Sequence, residues 1–167
     1  MSVKITYPVP VDVAIEDAVE NVRRQVKHRT YTAANELRNS ALIILRGQRS
    51  GRRYKVPGTY RRQRDKTDGK MKNGRYYTAS APGEPPAVRT GTFRNSWQVS
   101  QTAVRELFGS YFARIESSVR TDNGKYLLGE ILEDGTPGGQ MAPRPYMDKV
   151  LKHAEPKIVR IYSKPYD

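Results

Sequence analysis

The chain contains no cysteine and only two histidines, His28 and His153. A disulfide framework and a thiolate metal site are therefore excluded, and an imidazole site is poorly supplied, so no metal or cofactor is expected. No apolar run approaches the roughly 18 residues that cross a bilayer, and Met1 to Asp12 lacks the basic start and apolar middle of a signal peptide. The expectation is a soluble protein made in the cytoplasm, with no membrane partner. Apolar residues are also scarce: a hydrophobic content of 37% and a mean hydropathy of -0.76 lie below the globular average. Part of the chain therefore buries little surface by itself and orders against neighbours. At 167 residues the length suits one domain and one core.

Acid is the scarce sign of charge. Thirty Lys and Arg face seventeen Asp and Glu, a net +13 that suits nucleic acid or an acidic partner. The excess is local: Arg46 to Arg75 holds twelve basic residues against two acids, a net +10 within thirty residues. Tyr54, Tyr60, Tyr76 and Tyr77 are interleaved with these cations, which is the composition of a surface that neutralises phosphates and stacks on bases. No zinc finger, helix-turn-helix pair or RNA-recognition motif frames the stretch.

After an extended opening through Pro10, Asp12 is placed to cap a helix, with Glu16 and Asp17 near its positive end. Ile15, Val19, Val22, Val26, Ala33, Leu37, Ala41 and Ile44 form one helical stripe, with Arg29 or Thr30 at the missing seam position. Gly47 stops the run, predicting a helix over 12–46 that is about 50 Å long. Two fates are open to its apolar face: a sheet of the same chain, or a sister subunit packed on the free end. Residues 47–74 read as a basic loop or hairpin, and residues 75–167 as a sheet and a C-terminal helix. Within that last part, Arg75 to Ala79, Trp97 to Thr102 and Phe112 to Ser118 are strand candidates, and Phe93 to Ser96 makes one hydroxyl-capped helical turn. Asp122-Asn123-Gly124 marks a turn, Tyr126 to Glu133 a short helix or bent strand, and Tyr146 the start of a helix broken or kinked at Pro156. The fold class is α+β: a long N-terminal helix packed on a small, mainly antiparallel sheet, with a C-terminal helix and a long basic loop.

Convergent catalytic groups are lacking. The best acidic cluster, Glu130, Glu133 and Asp134, reads as a solvated patch or a seat for a neighbour's arginine, and both histidines read as surface residues on helices. Gly138-Gly139 has no following Lys-Ser/Thr, so no phosphate-binding loop is present. The chain is expected not to be an enzyme.

Two stretches carry a likeness. Ser80-Ala81-Pro82-Gly83-Glu84-Pro85-Pro86-Ala87, then Thr90-Gly91, then Phe93-Arg94-Asn95-Ser96, is followed downstream by Tyr126, Glu133, Gly135-Thr136 and Met141-Ala142-Pro143-Arg144-Pro145-Tyr146-Met147. In order and spacing, over nearly the whole chain, this resembles the neck or tail-component family of lambda-like phages. Residues 56–71 look like an added basic loop, and Pro137-Gly138-Gly139 lengthens the Gly-Thr loop. The resemblance implies a structural virion protein that joins the head connector to the tail. It also implies copies of itself in a closed ring, six-fold favoured, with neighbouring connector and tail proteins as partners and double-stranded DNA passing through.

On this reading Pro82, Gly83, Glu84, Pro85 and Pro86 form a stiff connector that either links elements within the chain or docks on the next subunit. Arg144, held between Pro143 and Pro145, reaches a carboxylate, either Glu133 or one on a neighbour. Arg49, Arg52, Arg53, Lys55, Arg61, Arg62 and Arg64 contact an acidic face of the adjoining ring or the passing DNA; the protein partner is favoured, because a channel must let DNA slide. The alternative reading is a nucleic-acid-binding protein acting through residues 46–75.

Overall fold

The computed structural model describes residues 10–56, 75–100, 105–107 and 110–166. Helix α1 runs from Val11 to Arg46, 36 residues without a glycine or proline to interrupt it. Its cap differs from the expectation. Pro10 takes the N-cap position, with no side-chain cap bond, and its carbonyl accepts the Ala14 amide at 3.0 Å; Asp12 lies inside the first turn, where the helix dipole favours its charge. Gly47 closes the other end as the composition predicts, its amide reaching Ile44 O at 3.4 Å.

The basic stretch leaves α1 as a hairpin stem. Strands β1, Arg53–Lys55, and β2, Tyr76–Thr78, pair antiparallel with Tyr54 opposite Tyr77. Helix α2, Thr92–Asn95, is the single turn expected after Thr90-Gly91; Gly91, with φ of 90°, holds the cap position, and Thr90 Oγ1 accepts the Thr92 amide. Strands β3, Gln98–Val99, β4, Arg105–Leu107, β5, Ser110–Phe112, and β6, Ile115–Glu116, follow. They form two further antiparallel pairs, β3 with β6 and β4 with β5, so among the described residues the predicted sheet is present as three two-stranded ladders. The turn at Asp122-Asn123-Gly124 leads to helix α3, Leu128–Asp134, and then to helix α4, Met147–Tyr162.

Helix α4 continues through Pro156 instead of breaking there. Proline removes its own N–H from the ladder and crowds the carbonyl of Lys152 one turn earlier, but the helix is held to α1 on both sides of it. Before Pro156, His153 Nδ1 meets Ser40 Oγ at 2.9 Å; after it, Lys157 pairs with Glu36 at 3.2 Å and Tyr162 Oη reaches Thr30 Oγ1 at 3.1 Å. His153 is therefore half-buried between helices, not a surface residue as its isolation in the sequence implied. The two helices run antiparallel along this seam.

The core lies where the C-terminal turns of α1 meet α2 and the start of α4: Ala41, Leu45, Trp97, Tyr146 and Val150 are buried, with Leu37, Ile44, Phe93 and Leu132 against them. Phe93, Trp97 and Tyr146 pack edge to face with centroids 5.8 to 6.1 Å apart, geometry that aromatic quadrupoles favour. Tyr146 donates to Gly129 O at 3.4 Å, and burial first, then Glu133 and Asp134, pushes its phenol well above the usual range.

Leu45 is 1% exposed whereas Val159 on the outer face of α4 is 60% exposed. Leu45→Ala is expected to lower unfolding free energy by about 2 to 5 kcal/mol. Val159→Ala should change it by less than about 0.5 kcal/mol. Urea denaturation of the two variants beside the parent checks both.

Candidate functional site

The proline connector folds into a turn that grips the hairpin stem. Glu84 is the fastening: its Oε1 accepts Ser50 Oγ at 2.6 Å, and its Oε2 accepts the amides of Ser50 at 3.1 Å and Ala81 at 2.9 Å. The Ser50 hydroxyl foremost, then the two amides and the nearby Arg49, hold the carboxyl down at about 2, well below its ordinary 4.5. The stem approaches closely here, because a Cβ on Gly51 would sit 2.6 Å from Ala79 O, whose carbonyl accepts the Gly51 amide at 3.0 Å. Pro82 and Gly83 at the turn are exposed, while Pro85 and Pro86 are buried within the chain.

Arg49 secures the same junction from the other side. Its Nε and one terminal nitrogen donate to Pro86 O at 3.2 and 3.0 Å, and the latter also donates to Ile44 O at 2.9 Å, a second, shorter bond to the carbonyl that the Gly47 amide reaches at the end of α1. Burial lowers its pKa, and Glu84 partly opposes that shift. Arg49 thus works as a joint between α1 and the connector. Arg52, Arg53 and Lys55 differ: all three are exposed on the stem. The Arg53 guanidinium lies 4.6 Å from the Tyr76 ring centroid, and Arg52 lies 5.6 Å from that of Tyr54. Arg61, Arg62 and Arg64 lie outside the described residues.

Arg144 does not reach Glu133. One of its terminal nitrogens donates to both Ser80 O and Ser80 Oγ, so the Arg-Pro element fastens to the start of the proline connector instead of to a carboxylate of the chain. Beside it, Gly83 N donates to Pro143 O at 3.3 Å, and Lys149 Nζ on α4 donates to Gly83 O at 3.2 Å. Pro145 is half-buried. Glu133, expected to meet an arginine, caps α4: its Oε2 accepts the amides of Tyr146 at 3.0 Å and Met147 at 3.3 Å, the donors that open a helix. The sequence places Ser80 at the head of the proline motif without assigning it a contact, and Ser50 and Lys149 gain their roles only when the fold sets them beside their partners.

Two surfaces stand open to solvent among the described residues. Every residue from Asp12 to Arg24 is exposed, including Ile15, Val19 and Val22 of the predicted stripe, so among the described residues α1 is buried along its later turns. Between the connector, α2 and α3 lies an open groove of about 860 Å³ with Leu45 in its lining. Among the described residues no three His, Asp or Glu are grouped as metal ligands.

Because the Glu84 carboxyl is held at about 2 in the folded chain against about 4.5 when free, its clamp contributes fully above about pH 4.5 and is lost as pH falls toward 2. Thermal unfolding between pH 7 and pH 2 is expected to show this acid-side loss, and Glu84→Gln to flatten that part of the profile. Compared with family models, curated proteins and solved structures, the chain matches none.

Proposed function

We propose that the chain is a non-enzymatic subunit of the neck or upper tail of a tailed bacteriophage, assembling as a ring between head connector and tail while DNA passes through. The observation that carries this reading is the direct joining of the two stretches on which the likeness rests. Arg144 of the Arg-Pro element bonds Ser80 of the connector, and Pro143 and Lys149 bond Gly83, across 60 or more residues of sequence. Segments recognisable together in the sequence thus form one structural joint, as expected if they are parts of a single platform. The exposed apolar end of α1 adds support, because a 36-residue helix that covers only part of its stripe leaves surface for another subunit.

The test is to analyse purified particles of the encoding phage. The chain is expected among the virion proteins by mass spectrometry and as a symmetric ring above the tail in cryo-electron density. Its absence from particles overturns the proposal. If the stem cations meet an acidic face of the adjoining ring, docking should weaken as salt rises from low to physiological strength.

A second reading, nucleic-acid binding, draws on the exposed stem, where Arg52 and Arg53 lie over tyrosine rings. It predicts tight binding of duplex or single-stranded oligonucleotides that falls steeply with salt, and a shallower slope in Arg52→Glu with Arg53→Glu. Fluorescence anisotropy across a salt series decides it; weak, salt-erased affinity leaves the ring reading in place.

A further inference from the structure

The two uncovered surfaces are opposite in charge. Residues 11–22 contain Asp12, Glu16, Asp17 and Glu20 and no cation, a net -4 in a chain whose total is +13. The acids Asp12, Glu16 and Glu20 recur every fourth residue, so they form a row along the helix beside the exposed Ile15, Val19 and Val22. This end of α1 is an apolar ridge edged with carboxylates.

The groove is its counterpart. Pro86, Val88, Phe93, Leu128 and Ile131 are in its lining, which is mainly apolar. Arg89, Arg94, Arg120 and Arg144 stand around it against one acid, Asp122. Arg144 is held by Ser80, but Arg89, Arg94 and Arg120 have no ion-pair partner among the described residues. The occupant that fits is an amphipathic helix with an acidic edge, seated as helices seat in grooves.

The ridge cannot reach the groove of its own chain. Val19 lies 26 residues before Leu45 in the groove lining, on one uninterrupted helix. At about 1.5 Å per residue that is about 39 Å. We propose that the acidic, apolar N-terminal end of α1 docks in this groove of a second copy. Ridge and groove are different surfaces, so the contact is head-to-tail and every copy both gives and receives one. The inference rests on the ring reading only for closure into a finite oligomer, since the same contact repeated without closure makes open chains.

The experiment is native mass spectrometry and light scattering on the full-length chain and two variants changed only at exposed positions, with circular dichroism to verify folding. The ridge variant is Ile15→Glu with Val19→Glu; the groove variant is Arg89→Glu with Arg120→Glu. The parent is expected to self-associate and each variant alone to be monomeric. Their mixture should stop at a one-to-one dimer, because only one productive ridge and groove remain. Adding Glu16→Arg and Glu20→Arg to the groove variant should restore self-association. A parent that stays monomeric, a groove variant that associates like the parent, or a mixture that fails to pair overturns the contact. A parent that forms open chains sensitive to both variants upholds the contact and overturns the ring; a closed ring indifferent to both does the reverse.

Discussion

The antiparallel seam between the later half of α1 and α4 is the contact from which the other elements take their places. Its apolar rungs, Ala41 and Leu45 with Val150, are buried, but hydrophobic packing alone tolerates sliding. Polar rungs fix the register. Ser40 is fully buried and Thr30 nearly so, and each finds its partner, His153 and Tyr162, at one alignment of the helices. A slip of one turn would leave the buried Ser40 hydroxyl unsatisfied, at about 1 to 3 kcal/mol, whereas Thr30 would keep its bond to Val26 O within α1 and lose only Tyr162. Arg29 extends the seam past the end of α4, donating to Lys164 O and Pro165 O with its guanidinium 3.9 Å from the Tyr166 ring centroid.

With that seam in place, the remaining joints form a connected series of polar fastenings. Glu133 sets the entry to α4, the Arg-Pro element before it bonds Ser80, and Glu84 and Arg49 tie the connector to the stem and to the end of α1. The protein has few apolar residues with which to bury these segments, and it positions them instead with charged side chains directed at backbone groups. Such bonds are stronger than neutral ones and specify geometry more narrowly. They also explain the distribution of cations: Arg49 and Arg144 are structural, whereas Arg52, Arg53 and Lys55 stand in solvent.

Much of this architecture is legible in the residues. The span of α1 follows from an uninterrupted run between Pro10 and Gly47, the stem from a Gly-rich basic stretch between strand formers, and the start of α4 from the stripe after Tyr146. What cannot be read is where a stripe ceases to be covered: Ile15 and Leu37 have the same chemistry and spacing, but only the latter meets the core. The partners of long polar side chains are equally hidden. Arg144 flanked by prolines suggests a carboxylate, and its actual acceptor, Ser80, is set by tertiary approach. Of the break or kink expected at Pro156, the break does not occur, because contacts across the seam outweigh a local preference. For the candidate site, the charge and the proline motif are visible in sequence, whereas the groove is made by the mutual placement of connector, α2 and α3 and has no linear signature.

The part of α1 that stands clear of the seam is also a mechanical element. From Asp12 to Arg29 it extends about 26 Å, and a continuous helix is stiff over that length. Any small rotation of α1 against α4 is therefore magnified at the tip: a tilt of about 5° moves Asp12 by about 2 Å while the core rungs near the pivot barely shift. Strain applied at the tip would travel the other way, concentrated onto the few hydroxyl pairs that set the register, so the same lever that reaches outward makes the seam responsive to whatever holds its end.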